Sequence, residues 1–306
     1  MTHLQQLSIQ QVCKSYSGHR KALDHISLEL SDGIFGLLGP NGAGKSSLMR
    51  SIATLQSIDS GRIIFNGIDI AKEPNSIRRV LGYLPQEFGV YPQICAEKLL
   101  HYLAVLKGVH DRRQRQRQID YLLERTHLGQ YRHQAVAEYS GGMRKRFGIA
   151  QALLADPKIL MVDEPTSGLD PQECHSLHHL LSDIAQSMIV IFSTHIVEDI
   201  QNLCRNMAVL AGGKVLFAGA PKTLIKRLDN QVWQIDILPK QIPLFRQQYP
   251  LLSSRFMGGH CQVRVVAPQA PAAGFIPAIA DLQDSYFYLL QQHQQLGLAV
   301  QPSALV

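Results

Sequence analysis

Residues 39–47 read Gly-Pro-Asn-Gly-Ala-Gly-Lys-Ser-Ser, which fits G-x-x-x-x-G-K-[ST], the pattern of a loop that cradles nucleotide phosphates. Around Pro40, Asn41 and Ala43, the glycines Gly39, Gly42 and Gly44 let backbone N–H groups turn inward toward phosphate oxygens. Lys45 can neutralise charge between the outer phosphates, and the Ser46 hydroxyl, beside Ser47, can hold Mg²⁺. Such a loop needs a second site for the metal and a water. The run Ile159-Leu160-Met161-Val162-Asp163-Glu164 supplies it. Asp163 can reach the Mg²⁺ shell, and Glu164 beyond it can polarise an attacking water as general base. A Gly-rich turn that binds nothing, and an acidic strand end without a role, are the alternatives.

The elements around these residues decide between the readings. Ile34–Leu38 is an apolar, strand-like run before the loop, and Ser46–Leu55 reads as a helix whose positive N-terminal end faces it. Ile159–Val162 and Ile189–Phe192 are further buried strands, the second ending at Ser193-Thr194-His195. Val80–Leu84 is a short strand ending at Pro85-Gln86. Leu7–Val12 and Ala22–Leu30 alternate apolar with polar residues, and Arg62–Phe65 turns at Asn66-Gly67 into a short strand. Ala96–Gly108, Gln114–Thr126, Gln172–Gln186 and Val197–Cys204 have helical spacing, and Met207–Leu210 with Lys214–Ala218 forms a hairpin. Alternating strands and helices predict an α/β fold. Its sheet is mostly parallel and flanked by helices, with an antiparallel β-piece near the N-terminus.

The 306 residues suffice for one large domain and a small one. The pattern shifts near Leu228-Asp229-Asn230, which predicts a nucleotide-binding domain over 1–228, with a helical subdomain at about 87–150, and an accessory α+β domain over 229–306. The tail carries strands at Val232–Leu238 and Gln262–Val266, a loop at Pro268–Pro277 and a helix at Asp281–Gln292. The net charge of +6 is that of a solvated surface or of one drawn to phosphate or anionic lipid. The basic run 111–117 likewise reads as a solvated helix start or loop, or as a patch touching a partner or lipid headgroups. No stretch approaches the roughly 20 apolar residues of a membrane span. The first residues lack a secretory pattern, so the expected location is the cytoplasm. The five cysteines show no C-x-x-C pair, and His175, His178 and His179 read as a helix surface rather than a metal site.

Tyr139-Ser140-Gly141-Gly142-Met143-Arg144 lies between the two nucleotide elements, and Pro165-Thr166-Ser167-Gly168-Leu169-Asp170 follows the second. With these segments the chain resembles the ATP-binding cassette of an ABC transporter. The matching runs stand in the family's order: phosphate loop, Gln86, Ser140–Met143, Asp163-Glu164, Ser167–Asp170 and His195. The resemblance covers the chain to about residue 220. It implies a phosphate-loop NTPase of ABC type that binds ATP with Mg²⁺. In such a cassette Glu164, His195 and Gln86 are catalytic, and Ser46, Gln86 and Asp163 hold the metal. Ser140, Gly141, Gly142 and Met143 contact the ATP of an opposite cassette, Ser167–Asp170 form the dimer loop, and Tyr16 stacks on adenine. Tyr139 departs from the family's usual Leu, which bears on the packing of the signature helix.

The resemblance also implies partners: a second cassette, identical or related, and a separate transmembrane permease that docks around Gln86–Leu106. No nucleic acid is expected. Phe88-Gly89-Val90-Tyr91-Pro92 and the tail helix resemble ABC-2 type exporters, which implies a peripheral position on the cytoplasmic face of the membrane. The competing readings are a soluble ABC-type ATPase acting on ribosome or nucleic acid, and a regulatory nucleotide sensor.

Overall fold

The computed structural model describes residues 5–16, 21–89, 91 and 93–299. It divides into two compact units between Val215 and Leu216. The sequence reading puts the boundary later, at 228/229.

In the first unit, β1 (Gln6–Ser15) and β2 (Lys21–Ser31) pair antiparallel with Leu7 opposite Leu30 and Ile9 opposite Leu28. Period-2 alternation puts these four side chains on one buried face. A register shift falls between Ile9 and Val12. β3 (Gly33–Leu38) has no polar side chain and is buried almost throughout, as a central parallel strand must be. It leads through the phosphate loop into α1 (Lys45–Ile52). β4 (Ser60–Phe65) and β5 (Ile68–Asp69) complete a four-stranded antiparallel sheet of order β2-β1-β4-β5. α2 (Pro74–Arg78) starts on its proline, and β6 (Leu81–Leu84) follows.

A helical segment intervenes: α3 (Ala96–Leu106), α4 (Arg112–Arg125) and α5 (Gly141–Ala152). The basic run is the first turns of α4. Asp111 caps it by accepting from Gln114 N at 2.7 Å. Arg112, Arg113 and Arg117 are exposed while Ile119, Leu122 and Leu123 are buried. Then come β7 (Ile159–Asp163), α6 (Pro171–Ile184), β8 (Ile189–Thr194), α7 (Val197–Leu203), β9 (Asn206–Ala211) and β10 (Lys214–Gly219).

The second sheet has the order β10-β9-β3-β8-β7-β6 and is parallel from β9 to β6. The carboxyl ends of β3, β7 and β8 therefore lie side by side, where open α/β sheets hold ligands. Beneath them Leu37, Leu48, Met49, Ile52, Met161 and Ile191 join one apolar core with the β1–β2 face. Each such side chain contributes about 1.5–3 kcal/mol when fully buried.

The second unit holds α8 (Pro221–Ile225), β11 (Val232–Ile237), α9 (Ile242–Gln248), β12 (Leu251–Met257), β13 (His260–Val266), β14 (Ile276–Pro277) and α10 (Leu282–Ala299). Its sheet order is β12-β13-β11-β14, packed on a core of Ile237, Cys261, Val263, Val265 and Phe275. α9 and β12 were not anticipated, and β14 lies in the segment expected to be a loop. No helix among the described residues is long and apolar enough to cross a membrane.

Candidate nucleotide-binding site

The phosphate loop leaves β3 in a conformation only glycine tolerates at its end. Gly44 has φ of 108°, and a Cβ there would stand 2.5 Å from the Ala22 carbonyl. Gly44 is also the N-cap of α1, and no side chain caps the helix. The first N–H groups of α1 are thus available to an anion. Lys45 is buried beneath the loop, donating to Gly39 O at 2.6 Å and to Pro40 O at 3.2 Å. Burial lowers its pKa, while Glu164 and Asp163 oppose that shift. A cavity of about 490 Å³ is lined by Tyr16, Ala22, residues 41–47, Gln86 and Glu164. The backbone brackets it further: Asp24 N donates to Gly213 O and Gly213 N donates to Ala43 O.

Asp163 ends β7 and accepts from Ser193 Oγ of β8 at 2.8 Å. Glu164 is the next residue, buried and left-handed at φ 47°, with its N–H donating to Ser193 O. Three predicted residues converge on its carboxylate. Gln86 Nε2 donates to Oε2 at 3.2 Å, His195 Nδ1 lies 3.2 Å from Oε1, and Lys45 Nζ lies 3.7 Å from Oε1. The fold has gathered an ammonium, an imidazole and an amide around one carboxylate at the mouth of the phosphate loop. Tyr16 is on the rim, with its hydroxyl 3.2 Å from Ser47 Oγ and donating to Gln56 at 2.6 Å. Of its segment, Ser17 and Gly18 lie outside the described residues, as do Val90 and Pro92 near Gln86.

Ser140, Gly141, Gly142 and Met143 do not line that cavity. Ser140 is the N-cap of α5, accepting from Met143 N at 3.1 Å, and with Gly141 it is exposed. Its hydroxyl also donates to Glu173 at 3.4 Å. Tyr139 fits its position. It is buried, its hydroxyl donates to Tyr131 O at 2.9 Å, and it packs edge-on against Phe147. Ser167, Gly168 and Leu169 form an exposed or half-exposed turn ending at Asp170, which caps α6 by accepting from Glu173 N at 2.8 Å.

Sequence reasoning missed a buried network behind Glu164. Asp199 accepts from Thr166 Oγ1 at 2.6 Å and Thr194 Oγ1 at 3.1 Å, and meets His178 Nε2 at 3.1 Å. Burial opposes its ionisation, but bonds from His178, Thr166 and Thr194 together hold its pKa below 3.8. The network ties the turns after β7 and β8, which carry Glu164 and His195. Lys145 on α5 was missed as well; its ammonium donates to the Gln86 carbonyl at 2.9 Å. Nothing in the spacing of these residues signals the contacts.

The chain is similar to known proteins in the same terms. A family model described as "ABC transporter" matches residues 23–167. The ABC transporter ATP-binding protein YxlF of Bacillus subtilis is 34% identical over 76% of this chain and 77% of its own length. The Nod factor export ATP-binding protein I of Rhizobium etli is 35% identical over 71% and 69% respectively. Some longer relatives are spanned over about a third of their length or less. Among solved structures, cbiO1 of Clostridium perfringens, part of the ABC transporter complex cbiONQ, superposes with a TM-score of 0.66 at 25% identity, covering 73% of this chain and 94% of that one. Loop, sheet order and relatives agree: the chain belongs to the ATP-binding protein family of ABC transporters and is an ATPase of that family.

Proposed function

We propose that this chain is the ATP-hydrolysing subunit of an exporter, working with a second cassette and a separate permease at the cytoplasmic face of the membrane. The observation that carries the hydrolytic part is the convergence of Lys45, Gln86 and His195 on Glu164 at the phosphate loop. Lys45 and the N–H groups of α1 bind the phosphates. Glu164 takes a proton from the attacking water, with its carboxylate held in line by Gln86 and His195. Hard oxygen donors suit Mg²⁺: the Ser46 hydroxyl, the Asp163 carboxylate and the Gln86 Oε1, whose partner Nε2 is committed to Glu164. When bound, the ion neutralises charge on the outer phosphates.

The signature residues support a two-cassette reading. Their N-cap serine and exposed glycine offer an anion site that the chain's own nucleotide cavity does not include. Exposed Tyr91, Tyr102 and Leu106, each more than half accessible, support the region from Gln86 to Leu106 as the permease dock. The export direction is supported by the named Nod factor export relative.

Co-purification from detergent-solubilised membranes tests the whole reading. Recovery with a polytopic membrane protein, and ATP turnover lost in Glu164→Gln, is the expected result. A protein found only in the soluble fraction, turning over ATP alone, overturns the transport role.

A further inference from the structure

Asp24 and His25 are 11 and 12 positions from Cys13 in sequence, and the fold brings them to it. β1 and β2 pair with register shifts on both sides of Val12, between Ile9 and Val12 and again before Lys14. Across that irregularity His25 adopts a left-handed φ of 55°, and its N–H donates to the Cys13 sulfur at 3.3 Å. Its ring Nδ1 lies 2.9 Å from Asp24 Oδ1. One thiol, one imidazole and one carboxylate thus present ligand atoms that all lie within 4.8 Å of one another. Among the described residues no other three side chains of metal-ligating type meet this way.

The donor chemistry is specific. A tetrahedral zinc-type ion with bonds of about 2.0–2.3 Å holds its ligand atoms about 3.5 Å apart. The ligand atoms of this trio stand within 4.8 Å of one another before any ion is bound. Sulfur, nitrogen and oxygen donors together suit a borderline-soft divalent ion, not Mg²⁺ or Ca²⁺. Cys13 and Asp24 are half-buried and His25 is exposed, so a fourth position is open to water. The Asp24 carboxylate also faces cationic side chains. Two ammonium groups compete for it: Lys21 at 2.9 Å and Lys214 at 3.5 Å. Both side chains are more than half exposed and are free to swing into solvent.

We propose that Cys13, Asp24 and His25 bind a divalent transition-metal ion of the zinc class, in competition with the ammonium groups of Lys21 and Lys214. On binding, the Cys13 thiol gives its proton to solvent and the sulfur ligates as thiolate. The site is separate from the Mg²⁺ donors of the nucleotide cavity. A backbone relay joins it to the phosphate loop: Asp24 N to Gly213 O at 2.8 Å, then Gly213 N to Ala43 O at 3.1 Å.

The test titrates the full chain with Co²⁺, a spectroscopic probe for such sites. A thiolate-to-cobalt charge-transfer band is expected in the near ultraviolet. It should vanish in Cys13→Ser and weaken in apparent affinity about tenfold or more in His25→Asn. Asparagine is chosen there because it tolerates the left-handed backbone. The double variant Lys21→Met, Lys214→Met should bind Co²⁺ more tightly, an effect that a purely structural role for these residues does not produce. Variants are compared only where thermal unfolding midpoints match wild type. No band in wild type, a band that persists in Cys13→Ser, or unchanged affinity in the double lysine variant each overturns the site.

Discussion

Nδ1 of His195 stands 3.2 Å from Oε1 of Glu164, while Gln86 donates to the other oxygen of the same carboxylate. A carboxylate engaged at both oxygens keeps one orientation, and that orientation faces the phosphate-loop cavity.

Glu164→Gln preserves shape and most hydrogen bonding but removes the carboxylate proposed as the base. ATP turnover is expected to fall by about 10²–10⁴-fold, with nucleotide affinity unchanged within a few-fold. Steady-state phosphate release and equilibrium nucleotide binding, measured on one preparation, check both halves. Equal turnover would remove Glu164 from the role.

Lys45→Ala acts on binding instead. The ammonium is buried and already anchored to the Gly39 and Pro40 carbonyls, so it is preorganised for phosphate. Loss of a charge-assisted contact of about 1.5–3 kcal/mol corresponds to about 10- to 150-fold weaker nucleotide binding. Calorimetric titration with a slowly hydrolysed ATP analogue reads this directly.

Asp199→Ala leaves Thr166, Thr194 and His178 without their shared acceptor. The expected loss is about 2–4 kcal/mol of stability in denaturant unfolding at pH 7. The sign with pH follows from a depressed folded pKa. The carboxylate's contribution is present above its ordinary value of 3.8 and is lost as pH falls through the lower folded value. Wild type and variant should therefore converge only in strong acid.

The second unit behaves oppositely at Asp284. Burial raises its carboxyl to about 6, although the Asp281 N–H and Arg264 favour the charged form. The folded state therefore holds a proton between about 4 and 6 that the unfolded chain releases. Stability of this unit should rise as pH falls from 7 toward 4, and the rise should flatten in Asp284→Asn. The chain's single tryptophan, Trp233, lies in this unit, so its fluorescence reports the transition.

Much of the catalytic unit was legible because its chemistry sits on strand ends. Apolar runs such as Ile34–Leu38 and Ile159–Val162 announce buried strands, and the residues just beyond them are then forced into one row. The second unit was less legible. Pro243 starts α9 one residue in, leaving a seven-residue helix with no buried residue. In β12 only Leu252 is fully buried, so no alternation betrays the strand. The Asp199 network was invisible for another reason. Its partners lie up to 33 residues away, and nothing local distinguishes Asp199 from an ordinary first-turn acid. Tyr139 shows the reverse. A departure that questioned the helix packing proves to be a satisfied core residue.

Glu164 holds a φ of 47°, a backbone region that suits glycine or asparagine and strains a longer side chain by about 1–3 kcal/mol. Selection for stability alone would therefore move this position away from glutamate, toward side chains that cannot reach the cavity. A library screened only for thermal resistance should enrich Gly and Asn at 164 and yield well-folded, inert proteins. Restoring glutamate to such a background would cost stability and return turnover, so melting temperature and rate would be anticorrelated at this single site.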